Sequence, residues 1–401
     1  MSLPSEVSSH TNPAKNDIHV TAVTTTSPQH LARETENTER RSTTKYVLLC
    51  CLDAVINGVV VAPLVVAYFS GTWNLLDIYL IPENFSWSAV ASLLIGIALT
   101  LLINLLQGVL GSLFAERSVV FHIVYRLYIY IYGFAAINQF RGLWYLLDDL
   151  TGETILGAAV CVGVSLLVSA PLRVMNNIAA SPMITNVDIR SEEPFRVDTR
   201  FGVKPAKTWK FVGDVVLTVV VVISLVILAW RGTWQLFDFL IFPSDFIRST
   251  WTSLGIGYAI YITLFVLEYP TSCLIRKVKT FYLGLGVEMM FSFVGGVGSV
   301  AVWRGLWYVY ELYVFPDDFV ASAWLTHGVG AAGLFVILAG RSALVTPSDV
   351  DGEARDGSGV ELGRYLEQIC PKLIQKFVSN KSSSPGAAPS PDDVKFEETC
   401  L

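Results

Sequence analysis

Long apolar runs alternate with short polar stretches along the chain. Eight of these runs are long enough to cross a hydrocarbon core of roughly 30 Å, which takes about 20 helical residues. They lie near 46–69, 87–107, 119–139, 154–173, 211–230, 250–268, 281–303 and 320–340. The pattern predicts an all-α polytopic membrane protein with eight transmembrane helices. Every odd-numbered run is followed by the same motif, Gly-x-Trp-x-x-x-acid. Its four copies are Gly71, Trp73 and Asp77; Gly142, Trp144 and Asp148; Gly232, Trp234 and Asp238; and Gly305, Trp307 and Glu311. Arg141, Arg231 and Arg304 precede the glycine in the last three copies, and Ser70 stands there in the first. The second copy lacks the Pro-x-x-Phe ending of the others.

Successive motif tryptophans are 71, 90 and 73 residues apart, so units one and two match units three and four as a pseudo-twofold pair. The match extends beyond the motif: Ser92-Leu93-x-Ile95-Gly96-x-Ala98 aligns on Ser253-Leu254-x-Ile256-Gly257-x-Ala259, and Asp53 aligns on Asp214. Each unit reads as one helical hairpin with the motif at its turn. Two crossings per unit make all four units parallel, with a pseudo-symmetry axis along the membrane normal.

Composition agrees: 53% of residues are hydrophobic, 15% are charged, and the mean hydropathy is +0.53. The chain divides into a polar, disordered N-tail (1–45), repeats one and two (46–173), a basic loop (174–210), repeats three and four (211–340) and a C-tail (341–401). Counting Lys and Arg gives 23 on the side of the tails and the basic loop against 4 on the motif side. The positive-inside rule then puts both termini in the cytoplasm and all four motifs outside, on a face carrying ten acids. Five of the six cysteines fall on the cytoplasmic side and Cys161 within the fourth run, so no disulfide is expected. Cys50, Cys51 and Cys273 are candidates for palmitoylation, with interfacial packing as the alternative.

Tryptophan favours the headgroup level, so the four motif copies read first as an interfacial belt, with glycine breaking the incoming helix. The motif acid lies seven residues after the Arg position, too far along one helix for a direct pair. Pairing between neighbouring units is the natural geometry and predicts an interlocked outer ring; a cation-collecting vestibule is the functional alternative. Asp53, Arg126, Asp214 and Glu288 lie 18 to 20 residues before their tryptophans, about one hydrocarbon thickness away. They are inner-edge charges, with Asp53 or Asp214 pairing with Arg126. Between the two edges only weakly polar groups remain: Asn57, Asn104, Asn138, His327 and the tyrosines Tyr125, Tyr128, Tyr130 and Tyr132. There is no phosphate loop, metal-ligand spacing or nucleophile constellation, so neither an enzyme nor a nucleic-acid binder is expected, and no cofactor or metal.

In the C-tail, Leu362, Tyr365, Leu366, Ile369, Leu373, Ile374 and Phe377 recur at helical spacing. This predicts an amphipathic helix near 360–378 that lies on the inner leaflet or in a partner groove. The chain ends in Thr399-Cys400-Leu401, which fits a PDZ ligand through Thr399 and the carboxylate of Leu401.

Eight crossings carrying Gly-Thr-Trp-Asn-Leu-Leu-Asp (71–77), Arg-Gly-Leu-Trp (141–144), Arg-Gly-Thr-Trp-Gln-Leu-Phe-Asp (231–238) and Arg-Gly-Leu-Trp (304–307) resemble the Fuseless family over roughly residues 45 to 340. The resemblance implies a presynaptic plasma-membrane protein that organises voltage-gated calcium channels and supports transmitter release. Expected partners are the lipid bilayer, a PDZ scaffold protein and a presynaptic calcium channel complex. A transporter or channel, with a path lined by Asn57, Tyr128 and His327, is the alternative function.

Overall fold

The computed structural model describes residues 44–188, 193–205, 208–344, 350–352 and 357–371. Among them there is no strand. Eight helices are long and apolar enough to cross a membrane: α1 (Thr44–Tyr79), α2 (Phe85–Leu113), α3 (Val119–Thr151), α4 (Ile155–Leu172), α5 (Trp209–Leu240), α6 (Phe246–Lys277), α7 (Phe281–Tyr313) and α8 (Phe319–Val336). A ninth, α9 (Tyr365–Ile369), is short. The N-tail up to residue 43, the C-terminal residues Thr399 and Leu401, and residues 372–378 of the amphipathic stretch lie outside the described residues.

The helices form two concentric layers. The motif-bearing helices α1, α3, α5 and α7 touch one another in a ring: α1 with α3, α3 with α5, α5 with α7, and α7 with α1. Each even helix packs mainly on the next odd one, α2 on α3, α4 on α5, α6 on α7, and α8 back on α1. The sequence hairpin is therefore not the unit of packing. A helix leaving each motif turn lies against the following unit, which interlocks the four units and closes the ring through α8 and α1.

The motif glycines explain how the two layers approach so closely. They do not break the odd helices, which run on past the tryptophan and the acid to Tyr79, Thr151, Leu240 and Tyr313. A Cβ at Gly71 would overlap the backbone of His327 on α8, and one at Gly142 would overlap Leu93 on α2. Gly232 meets Ala158 and Val162 on α4, and Gly305 meets Leu254 on α6, in the same way. Small residues at such crossings allow the backbone proximity that membrane helices use in place of hydrophobic contrast.

The turns come later and are made by other residues. Ile81, Phe242 and Phe315 take left-handed φ values of 50, 45 and 48°, each just before a proline. The second copy, which has no proline, turns at Gly152 with φ 66°. Asn84, Thr154, Asp245 and Asp318 then accept backbone N–H bonds as N-caps of α2, α4, α6 and α8. The Asn84 side chain of the Asn84-Phe85-Ser86 sequon is thus engaged in starting a helix.

At the opposite end, the face where α1 begins, two segments cross beneath the bundle. One follows α4 through a 3-10 turn (Met175–Ile178), and the other follows α8 through a matching turn (Gly340–Ala343). The described part of the amphipathic stretch belongs to this layer. Leu362 is buried beside Met183, Tyr261 and Leu264, and the Tyr365 hydroxyl donates to the Ile337 carbonyl at 2.6 Å. This part packs on the protein's own bundle, which supplies the apolar groove its face requires. Cys50, Cys51, Cys161 and Cys370 are free thiols.

Candidate functional site

Four residues before each motif tryptophan the chain has a second aromatic residue: Phe69, Phe140, Trp230 and Trp303. On a helix this spacing puts both rings on one face, a turn apart. In α1, α3, α5 and α7 that face points at the ring axis, so the eight side chains make two stacked tiers. In the upper tier Trp73, Trp144, Trp234 and Trp307 meet edge to face all the way round. Their centroid separations are 5.8, 5.7, 5.7 and 5.6 Å, and their interplanar angles 90, 87, 86 and 86°. In the lower tier Phe69, Phe140, Trp230 and Trp303 do the same at 5.6, 6.2, 4.9 and 5.1 Å. Edge-to-face pairs contribute about 0.5–1.5 kcal/mol each beyond the area they bury.

The motif tryptophans therefore do not form the expected interfacial belt. They face one another on the axis. The exposed tryptophans toward the motif end are instead Trp87, Trp251 and Trp324, which lie on the outer helices α2, α6 and α8.

One turn beyond the upper tier, three arginines reach back to the acid of the preceding unit. Arg141 Nε donates to Asp77 at 2.9 Å, Arg231 Nε to Asp148 at 2.8 Å, and Arg304 Nε to Asp238 at 2.9 Å. The arginine side chains are 1, 0 and 2% exposed. Burial of a guanidinium is tolerated only when its remaining donors are satisfied. Arg141 and Arg304 each give a further hydrogen bond to a serine at the start of an outer helix, Ser88 at 2.8 Å and Ser249 at 2.7 Å. Arg231 turns instead to the Gly152 carbonyl and to Cys161 Sγ. Tyr145 and Tyr308 donate to Asp77 and Asp238 and accept the indole N–H of Trp73 and Trp234, which ties each ion pair to the aromatic tier. The serines, tyrosines and second aromatic tier escaped the sequence reading. The i, i+4 repetition of aromatics before each motif was the available signal for the tier.

A family model for Fuseless matches residues 48–344, a span that holds all four motif copies. The chain belongs to the Fuseless family. No curated protein and no solved structure matches it.

In this Fuseless-family protein the fourth junction, from α7 to α1, differs from the other three. Ser70 replaces the arginine and donates to the Ala67 carbonyl, and the acid, Glu311, accepts instead from the indole N–H of its own Trp307 at 2.8 Å. Glu311 is exposed, unlike the other three motif acids.

The inner-edge charges do not make the expected Asp53–Arg126 or Asp214–Arg126 pairs. Arg126 pairs with Asp188, which also caps the Gly340–Ala343 turn through the N–H groups of Gly340 and Arg341. Burial pushes the Asp188 carboxyl up, against the pull of those N–H groups and of Arg126. Asp53 accepts the backbone N–H of Leu366 at 2.9 Å and of Glu367 at 3.4 Å, and Asn57 donates to the Gly363 carbonyl at 2.6 Å. Asp214 plays the matching part for the other crossing segment, accepting from Phe201 and Val203 N–H and from the Thr199 hydroxyl. Both aspartates stand just before a π-helical stretch, Asn57–Val61 in α1 and Leu217–Val222 in α5. Glu288 faces the C-terminal segment at Gly352 and Gly359. Asp53 and Asp214 thus dock backbone, and Arg126 holds the aspartate that caps the second crossing segment.

The weakly polar groups between the edges are used in the same way. Tyr128 donates to the Phe195 carbonyl, Asn138 accepts from Ser92, and His327 bonds Thr72 and Tyr130 between α8, α1 and α3. Among the described residues there is no cluster of three or more His, Cys, Asp or Glu that could hold a metal.

Proposed function

We propose that this protein is a non-enzymatic membrane organiser acting on presynaptic voltage-gated calcium channels, as Fuseless membership suggests. In this reading it lies in the presynaptic plasma membrane with both termini in the cytoplasm. A rigid body carries the tails, and the terminal Thr399-Cys400-Leu401 engages a PDZ scaffold. What carries the reading is the way the axis is obstructed. Two aromatic tiers lie in series above the Ala179-Ala180 and Ser342-Ala343 segments, and Trp230 and Trp303 donate to the Ile178 and Ser181 carbonyls of the segment that crosses beneath. Transport requires a continuous polar path or a gate. The Asn57 amide N–H, the Tyr128 hydroxyl and His327, the candidates for such a path, hold segments and helices together.

Proximity labelling from the C-tail in neurons tests the proposal. The expected outcome is enrichment of active-zone and calcium-channel proteins, and their absence overturns it. A pull-down on a panel of PDZ domains, with and without Leu401, tests the scaffold contact; equal recovery removes it.

A further inference from the structure

The two aromatic tiers line a half-open cavity of about 220 Å³ on the ring axis. A void larger than the ~150 Å³ apolar cavity that accommodates benzene is unusual in a close-packed interior. Three features of its wall and one just beyond it define what it accepts. Its lining is dominated by aromatic side chains, and neither Lys nor Arg contributes to it. The indole N–H groups of Trp73, Trp234, Trp307, Trp230 and Trp303 are committed to Tyr145, Tyr308, Glu311, Ile178 and Ser181 respectively, so none of these five is left for an anion. The hydroxyls of Tyr145 and Tyr308 are likewise engaged, each donating to a motif aspartate. One turn beyond the cage, three arginines answer four motif acids, leaving Glu311 as the acid not paired with an arginine at its junction.

A π-rich cage beside a surplus carboxylate attracts a cation. A wall in which five of the six indole N–H groups are already bonded favours one that needs no hydrogen bonds. We propose that the Trp73, Trp144, Trp234 and Trp307 cage binds a small organic cation bearing a methylated ammonium group, with Glu311 supplying the balancing charge. A primary ammonium would lose its water and find few free acceptors in this wall. A neutral hydrophobe of the same shape would forgo the attraction of both the rings and Glu311. The ligand occupies a dead end above the crossing segments and is not carried through.

The test uses the full-length protein in detergent micelles. Tryptophan fluorescence is titrated with choline and, separately, with its neutral carbon isostere 3,3-dimethylbutan-1-ol, at constant ionic strength. The expected result is saturable choline binding at least roughly tenfold tighter than binding of the isostere. Glu311→Gln, at an exposed position, and Trp144→Phe, which keeps a ring, should each weaken choline severalfold while the thermal unfolding midpoint stays near that of the parent. Equal affinity for the two probes, no choline binding by folded protein, or unchanged affinity in Glu311→Gln would each overturn the proposal. Its failure would leave the proximity-labelling result, and so the organiser reading, untouched.

Discussion

Three of the junctions between inner helices are closed by a buried arginine on the preceding unit's aspartate, and the fourth is not. At the closed junctions the carboxylate is shielded by Arg141, Arg231 or Arg304, with a tyrosine or glutamine beside it. At the open one, Ser70 is too short to cross and Glu311 turns to its own tryptophan. The aromatic tier passes through all four junctions almost unchanged, with separations between 5.6 and 5.8 Å. The difference separates two roles within one motif. Tryptophan sets the spacing of the ring and glycine that of the two layers, whereas the Arg–acid pairs set the ring's charge and can be omitted where a carboxylate without an arginine is tolerated.

The largest effect should come from breaking a closed junction. Asp148→Ala leaves the wholly buried Arg231 without its carboxylate, and a cost of about 3–5 kcal/mol is expected in denaturant unfolding of the purified protein. A loss below ~1 kcal/mol would show that the pairs are not what close the ring. Next comes the spacing itself. Gly142→Val drives a side chain into the backbone of α2, and overpacking of this kind costs about 1–3 kcal/mol or more, which a drop in melting temperature would record. The same substitution at Gly163, where an added Cβ meets nothing, serves as the control and should cost far less.

Closing the open junction sharpens the comparison further. In a double-mutant cycle between Ser70→Arg and Glu311→Ala, a new coupling of roughly 1 kcal/mol is expected if the fourth junction shares the geometry of the others. No coupling would mean that α7 and α1 meet differently. The smallest effect belongs to Glu311→Gln alone, within about 0.5 kcal/mol of the parent because the side chain is exposed. A large loss there would give Glu311 a structural role equal to that of the three aspartates.

Much of this architecture can be read from spacing. The apolar runs give eight crossings because hydrocarbon thickness fixes helix length, and the seven-residue separation of arginine and acid rules out pairing within one helix. Where side chains pointed was harder to read. A tryptophan near a helix end satisfies the headgroup region and a four-ring cage equally well, since both give one edge of the indole an apolar setting and its N–H a partner. Likewise, a glycine at that place suits a helix break or a helix crossing, and only the position of α8 against Gly71 decides for the crossing.

The charges at the other edge show the same division. Sequence placed Asp53, Arg126, Asp214 and Glu288 one membrane thickness from the tryptophans. It did not identify the backbone that Asp53 and Asp214 accept, because those N–H groups come from irregular segments outside the helices' own periodicity, Phe201 for Asp214, or from the other end of the chain, Leu366 for Asp53. By itself the sequence determined how many helices are long enough to cross a bilayer and the four-fold recurrence of one motif, both consequences of local periodicity and the length of a bilayer crossing. Only the tertiary structure decided that each even helix packs on the following unit, that eight aromatic side chains turn inward around a cavity, and that one junction stays open. Those outcomes depend on which faces meet when the ring closes, and closure is a property of all eight helices together.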